Sequence, residues 1–278
     1  MNKVILQLPG AVNTNTPSTN SALKRSMRFP LFLVSLYFCF FAEGFVSMAK
    51  AQNMVGGFYH SLFRCEDGTV NAWGSNSYCE LGNGNNLDIG SPLQVLGLSD
   101  VISIGCGRSH SMALRSDSTL WVWGNNDYGQ LGIGDQISTN SPIQVTGLSS
   151  VKAIDGSMHS IALKNDSTVW TWGYNAWGQV GNGTTSNTPT ITPTQVEGLT
   201  AVIAVEAAFE RSMALKNDST VWAWGTGFYG ALGNGFNIYL FTPTQVPGLT
   251  GVIEIASSDL ASYALKADGS VWAWGYNE

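Results

Sequence analysis

Positive charge is scarce in this sequence: lysine and arginine number 13 in 278 residues, against 19 acidic residues and only three histidines. Nucleic-acid affinity comes mostly from Lys and Arg neutralising phosphates, so neither DNA nor RNA is expected as a partner. Cysteine is nearly absent, with Cys39, Cys65, Cys79 and Cys106 alone and no CxxC or Cys/His spacing of the kind that holds zinc. The one apolar run of note, residues 29–42, is 14 residues long, too short for a comfortable membrane span and followed by Glu43. No segment shows a convincing helical period, no GxGxxG opens a helix, and no acidic loop has the spacing of an EF-hand. No serine, cysteine or acid pair stands apart as a nucleophile or an acid/base pair would need to. These gaps leave no expected metal, cofactor or catalytic residue.

What is present begins with a leader. Lys24, Arg25 and Arg28 precede the apolar run, and small residues after it end in Ala49-Lys50-Ala51. A basic stretch, a short apolar core and an A-x-A site make the layout of a secretory signal peptide, with cleavage expected between Ala51 and Gln52. Met27 offers an alternative start, and an uncleaved membrane anchor is the rival reading. Residues 1–51 are accordingly assigned to the leader and 52–278 to the folded part. The expected product is secreted, periplasmic or at the cell surface, with no stable membrane span after cleavage. It keeps 8 basic and 18 acidic residues, a net charge of −10. Three cysteines remain, so at most one pair forms within the chain; export permits a disulfide.

The strongest positive signal is a ladder of Trp-Gly pairs: Trp73-Gly74, Trp123-Gly124, Trp172-Gly173, Trp224-Gly225 and Trp274-Gly275, spaced by 50, 49, 52 and 50 residues. A fixed period of this length means stacked repeats. Within one repeat, His110 to Leu114 alternates as a strand, Ser116-Asp117-Ser118 supplies a turn, and Thr119 to Trp123 alternates again as the second arm of a hairpin. Other copies place Asp67-Gly68 and Asp268-Gly269 at the turn, a strong hairpin signal. A glycine-rich loop follows, then two further extended segments at Pro142 to Val145 and Val151 to Ile154. Neither face of the second arm is charged: Trp121 and Trp123 lie on one, Leu120 and Val122 on the other. A sheet that buries both faces is packed between neighbours. The reading is all-β, a β-propeller of about 50-residue, four-stranded blades. Residues 52–278 hold about 4.5 such units, so the expected array is incomplete, four blades plus parts, and truncated at the C-terminus.

Ile104-Gly105-Cys106-Gly107-Arg108-Ser109-His110-Ser111-Met112-Ala113-Leu114, together with Trp123-Gly124 and Tyr128-Gly129-Gln130-Leu131-Gly132, resembles the repeat of the regulator of chromosome condensation family. The resemblance runs from Val55 to the end and implies a propeller of the family's seven-bladed type. It does not carry over the founding member's nucleotide exchange on a nuclear GTPase, because this chain reads as exported and acidic and its spacing leaves no room for an inserted hairpin. The family's secreted bacterial inhibitor of β-lactamases is the nearer analogy.

A residue that recurs at one repeat position is usually scaffold. His60, His110 and His159 each stand 13 residues before a tryptophan, where the later copies have Arg211 and Ala261. They read as strand-start side chains bonded within their own blade rather than as a metal or proton site. Arg115, Lys164, Lys216 and Lys266 read as a solvated hairpin edge with weak surface pairs. Function is expected in what does not recur, the loops at 85–91, 135–141, 184–192 and 236–242. The candidate interaction residues are Trp177, Phe228, Tyr229, Phe236, Tyr239 and Phe241, aromatic groups in variable loops of the kind that anchor partners. The function expected is a secreted, non-enzymatic module binding a protein or glycan through the loops of one face. A structural or sorting module of a larger exported protein, and more weakly a propeller hydrolase or lyase, are the alternatives.

Overall fold

The structure, a computed structural model, describes residues 2–4 and 53–277. The apolar run at 29–42, Met27 and the bond between Ala51 and Gln52 lie outside the described residues. The described residues form twenty strands and a single 3-10 turn at Phe228–Gly230. After β1 (Asn2–Val4) come five blades. The first is β2 (Met54–Gly56), β3 (His60–Arg64), β4 (Val70–Gly74) and β5 (Ile89–Gln94). The second is β6 (Val101–Cys106), β7 (His110–Arg115), β8 (Leu120–Gly124) and β9 (Thr139–Gln144). The third is β10 (Val151–Gly156), β11 (His159–Lys164), β12 (Val169–Asn175) and β13 (Ser186–Gln195). The fourth is β14 (Val202–Ala208), β15 (Arg211–Lys216), β16 (Val221–Gly225) and β17 (Leu240–Gln245). The fifth begins with β18 (Val252–Ser257), β19 (Ala261–Lys266) and β20 (Val271–Gly275).

Each sheet is antiparallel, and in the first four the strands lie in chain order. Four units and part of a fifth are visible in the sequence; in the structure the fifth sheet is also four-stranded. Its outer strand is β1, with Asn2 opposite Ala273 and Val4 opposite Val271. The first strands of neighbouring blades touch one another, so they line the axis and the last strands face outward.

Local chemistry sets the hairpins. Asp117 Oδ1 accepts the Thr119 backbone N–H at 3.0 Å, and Ser118 takes φ +63°. Asp166 and Asp218 do the same for Thr168 and Thr220. The glycine of each Trp-Gly pair has a steric reason. Gly124 has φ +104°, and a Cβ there would lie 2.8 Å from the His110 Cα. The tryptophan before it faces the preceding blade. Trp123, Trp172 and Trp224 are fully buried, packed among Leu62, Val70 and Ala72, among Met112 and Val122, and among Leu163 and Val169, respectively. On transfer grounds each such ring stabilises its joint by roughly 4–6 kcal/mol. The Gly-x-Gly pairs are the seats of these rings: a Cβ on Gly132 would stand 2.6 Å from the Trp172 Nε1.

Candidate functional site

The histidines belong to the joints between blades. His110 Nε2 lies 2.8 Å from Ser160 Oγ in the next blade; His60 reaches Ser111 and His159 reaches Ser212 in the same way. Ser160 Oγ donates to the Gln130 carbonyl at 2.7 Å, and Trp172 Nε1 donates to that same oxygen at 2.8 Å. The serine hydrogen is spent on the carbonyl, so the histidine must donate through Nε2–H. Burial pushes His60 down to about 4 and His110 and His159 to about 3, all neutral. The expectation that each histidine bonds within its own blade is thus corrected: the His110 ring occupies space that a Cβ on Gly107 (1.9 Å from its Cε1) or on Gly156 of the next blade (3.1 Å from its Nε2) would invade, and so reaches the next sheet. Arg211 fills the same position, donating to Ser262 Oγ and to the carbonyls of Ser258, Asp259 and Ala261. Burial lowers it to about 10, still charged at neutral pH.

The edge cations hold a second joint-free role. Arg115, Lys164, Lys216 and Lys266 each lie over the outer tryptophan of their blade, Trp121, Trp170, Trp222 and Trp272, at 5.3–5.8 Å from the ring centre. Arg115 also meets Asp100 at 3.4 Å and Lys164 meets Asp166 at 3.5 Å. Cys65, Cys79 and Cys106 are free thiols.

The other end of the blades is built differently. There the turns between first and second strands and the loops between third and fourth strands come together into one loop face. A repeated device aims an aromatic residue from each long loop. Glu80, Gln130 and Gln179 accept the backbone N–H of Tyr78, Tyr128 and Trp177 at 2.9–3.0 Å through their side-chain oxygens. Buried Asn76, Asn126 and Asn175 tie each loop across its neck. The fourth blade breaks this pattern, with Gly227 at the Asn position and Ala231 at the Gln position. A Cβ on Gly227 would stand 2.0 Å from the Ile238 carbonyl oxygen, so only glycine lets the return strand come this close.

That approach creates the aromatic cluster. Tyr239 stacks on Trp177 with ring centres 5.1 Å apart, and Phe228 meets Tyr239 edge-on at 5.2 Å and Trp177 at 6.2 Å. Tyr229 lies 6.5 Å from Phe228 and 4.8 Å from Tyr276 of the fifth blade. Four of the six residues singled out in the sequence are therefore neighbours. Phe236 is 64% exposed and stacks on no other ring among the described residues. Phe241 lies on Gly178 of the third blade and its carbonyl accepts the Gly183 N–H, so it joins blades rather than entering the cluster. Sequence reasoning missed Tyr276, and also Tyr174, whose ring lies 4.8 Å from Tyr128. Both follow the glycine of a Trp-Gly pair, where other copies have Ser75, Asn125 and Thr226; that aromatic substitution was the available signal. Glu210 lies beside Trp177, its pKa raised mainly by burial and held back by a hydrogen bond from the indole.

Near the axis the face opens into two hollows. One, of about 310 Å³, takes lining from all five blades, including Phe58, Arg108, Phe209 and Asp259; the other, of about 350 Å³, is walled by Tyr59, Tyr78, Tyr128 and Asp127. Deeper in the axis, Asp155 accepts the Ala207 N–H at 2.7 Å and is raised to about 7 by burial. Glu206 is raised to about 9 by burial and then by the charges of Asp155 and Glu254. Among the described residues, no group of three or more His, Cys, Asp or Glu is arranged to hold a metal ion.

The model of the regulator of chromosome condensation (RCC1) repeat matches residues 67–114, 117–163, 166–215 and 218–265, and a second model of that description matches 53–78 and 101–130. The crystal structure of human WBSCR16 is similar at 25% identity and a TM-score of 0.70, over 81% of this chain and 61% of that one. Yeast RCC1 (Prp20), solved bound to Kap60, is similar in fold at 24% identity and a TM-score of 0.69, over 81% of this chain and 54% of that one. The Ultraviolet-B receptor UVR8 of Arabidopsis thaliana is 36% identical over 64 residues, 22% of this chain and 14% of the receptor. This chain thus spans between half and two thirds of each of these two solved chains.

Proposed function

This chain belongs to the RCC1 repeat family, and we propose that it is an exported, non-catalytic binding module whose loop face engages a protein or glycan partner. RCC1-repeat propellers are protein-interaction modules in kind, as the Kap60-bound yeast structure illustrates for its own chain. The observation that carries the reading here is the stack of Trp177, Tyr239 and Phe228, continued by Tyr229 and Tyr276. Phe228, Tyr229 and Tyr276 are 40–57% exposed. Rigid aromatic groups that pre-pack on one another lose little conformational entropy on binding, which is why such residues dominate interface energetics. The buried polar groups support a binding role over a catalytic one, since the histidines, Arg211 and the repeat serines are all spent on blade joints. Export is supported by the leader layout at 24–51 and is checked by mass spectrometry of the mature N-terminus, expected at Gln52; that cleavage would also remove β1 and leave the fifth sheet three-stranded.

The partner test is capture on immobilised protein and on a glycan array, comparing the native chain with Trp177→Ala and Tyr239→Ala. Loss of a central aromatic anchor is expected to weaken binding roughly 30-fold. Unchanged capture by both variants would remove this cluster as the contact surface.

A further inference from the structure

Arg108 departs from its repeat. Two residues before the His position, the other blades carry Phe58, Ser157, Phe209 and Asp259, so Arg108 is the one cation of the five. It is also the one exposed cation of the loop face among the described residues. Arg115, Lys164, Lys216 and Lys266 lie at the opposite end, and Arg211 is buried. Its turn is fixed on both sides: the Phe58 N–H donates to the Arg108 carbonyl at 3.1 Å, and the Arg108 N–H donates to the Ser157 carbonyl at 2.9 Å.

Its side chain is fixed too. The guanidinium carbon lies 4.5 Å from the centre of the Phe58 ring and 5.5 Å from that of Phe209, so rings from the first and fourth blades hold it. An arginine held against aromatic rings can still direct its N–H edge to an acceptor. Among the described residues no side chain or carbonyl accepts from that edge, and no carboxylate lies within ion-pair distance. Arg108 lines both axial hollows. A positioned cation with unspent donors at the mouth of a hollow is a receptor for a planar anion.

We propose that Arg108 is the receiving group of a carboxylate site at the axial mouth of the propeller. A carboxylate fits where a phosphate does not. Asp259 lines one hollow and Asp127 the other. Their repulsion acts twice as strongly on a dianion as on a monoanion. The carboxylate fork matches the guanidinium edge in a bidentate pair. Its source is either a polypeptide, through a C-terminus or an Asp or Glu side chain, or a free small carboxylate. This site is separate from the Trp177 cluster and stands without it.

The test titrates the ¹⁵N-labelled full chain and follows the Arg108 Nε–H resonance. The probes are acetyl-Gly-Gly-Ala with a free C-terminus, the same peptide as its amide, acetyl-Glu-amide, acetate and inorganic phosphate. Saturable shifts at roughly millimolar affinity are expected for the carboxylates, as fits ligands this small. Amidation is expected to cost about tenfold or more, in line with loss of a charge-assisted pair. Arg108→Lys is expected to weaken binding by a similar factor and Arg108→Ala to abolish it. Tyr239→Ala leaves carboxylate binding unchanged, which separates this site from the aromatic cluster. Tighter binding of the peptides than of acetate assigns the site to a polypeptide, and equal binding assigns it to a free carboxylate. Equal binding of the amide, undiminished binding by Arg108→Lys, tighter binding of phosphate, or no shift with any probe overturns the proposal.

Discussion

Ser160 makes two hydrogen bonds that no other group can replace. It accepts from His110 and donates to the Gln130 carbonyl, all of them buried between two blades. Ser160→Ala leaves the His110 Nε2–H without an acceptor, since its Nδ1 already has no partner. A buried donor stranded in this way costs about 1–3 kcal/mol, and the urea midpoint is expected to fall accordingly. Ser61 holds the equivalent position in the first blade, and among the described residues its hydroxyl makes no hydrogen bond to another blade, so Ser61→Ala is expected to change stability by less than about 0.5 kcal/mol. Equal effects of the two substitutions would mean the relay does not stabilise the joint. The recurrence of histidine was readable in the sequence and its assignment as scaffold agrees with the joints. The bond across blades was not readable, because the acceptor stands 50 residues away and a local strand pattern offers only partners in the same hairpin. The serine after each His position, Ser61, Ser111, Ser160, Ser212 and Ser262, was the visible trace of it. At the loop face Trp177, Phe228, Tyr229 and Tyr239 were readable because they interrupt the repeat. Tyr174 and Tyr276 were not, because they sit next to the Trp-Gly ladder that reads as scaffold.

The loop between β16 and β17 shows how one element acquires a different surface from its counterparts. In three blades a buried Asn and a Glu or Gln side chain tie the long loop. In the fourth, Gly227 and Ala231 provide neither, and a 3-10 turn with Tyr229 at φ +58° takes their place. The return strand then passes against Gly227 and brings Tyr239 onto Trp177. Gly227→Ala places a Cβ in the space of the Ile238 backbone, so the strand must shift and the stack must open. The expected outcome is a change in Trp177 fluorescence and a loss of partner capture comparable to Tyr239→Ala. Stability is expected to change by no more than about 1 kcal/mol, because the site is a surface loop outside the four blade cores. Retained stacking with lost capture would show that Gly227 acts by some route other than the close approach. Phe241 makes the contrast: it lies in the same variable stretch, yet its position in β17 sends it to Gly178 and to the joint with the third blade.

Across the whole molecule, three buried histidines and two half-buried axial carboxylates have opposite pH dependences and together set a pH optimum. The three histidines have folded pKa values of about 4, 3 and 3, below the ordinary 6.5. Their contribution is present above pH 6.5 and is lost as pH falls, because only the unfolded chain takes up the protons. Asp155 and Glu206 are displaced the other way, to about 7 and about 9. Their contribution is complete below their ordinary values near 4 and is lost as pH rises towards the folded values, because only the folded chain holds the protons. Each proton of difference changes stability by about 1.4 kcal/mol per pH unit. Between pH 4.5 and 6.5 three histidines outweigh two carboxylates, so stability rises with pH by about 1.4 kcal/mol per unit. Above 6.5 the histidine term is exhausted and the carboxylate term remains, so stability declines towards pH 9. Urea midpoints measured from pH 4.5 to 9 are expected to peak near pH 6.5. Glu206→Gln, which keeps the hydrogen-bonding shape without the charge, is expected to flatten the limb above pH 7 and to steepen the acid limb to about 2.8 kcal/mol per unit, because three histidines then oppose one carboxylate. A profile without a maximum, or an alkaline limb that survives Glu206→Gln, would mean that the axial carboxylates are solvated enough to ionise as ordinary surface acids do.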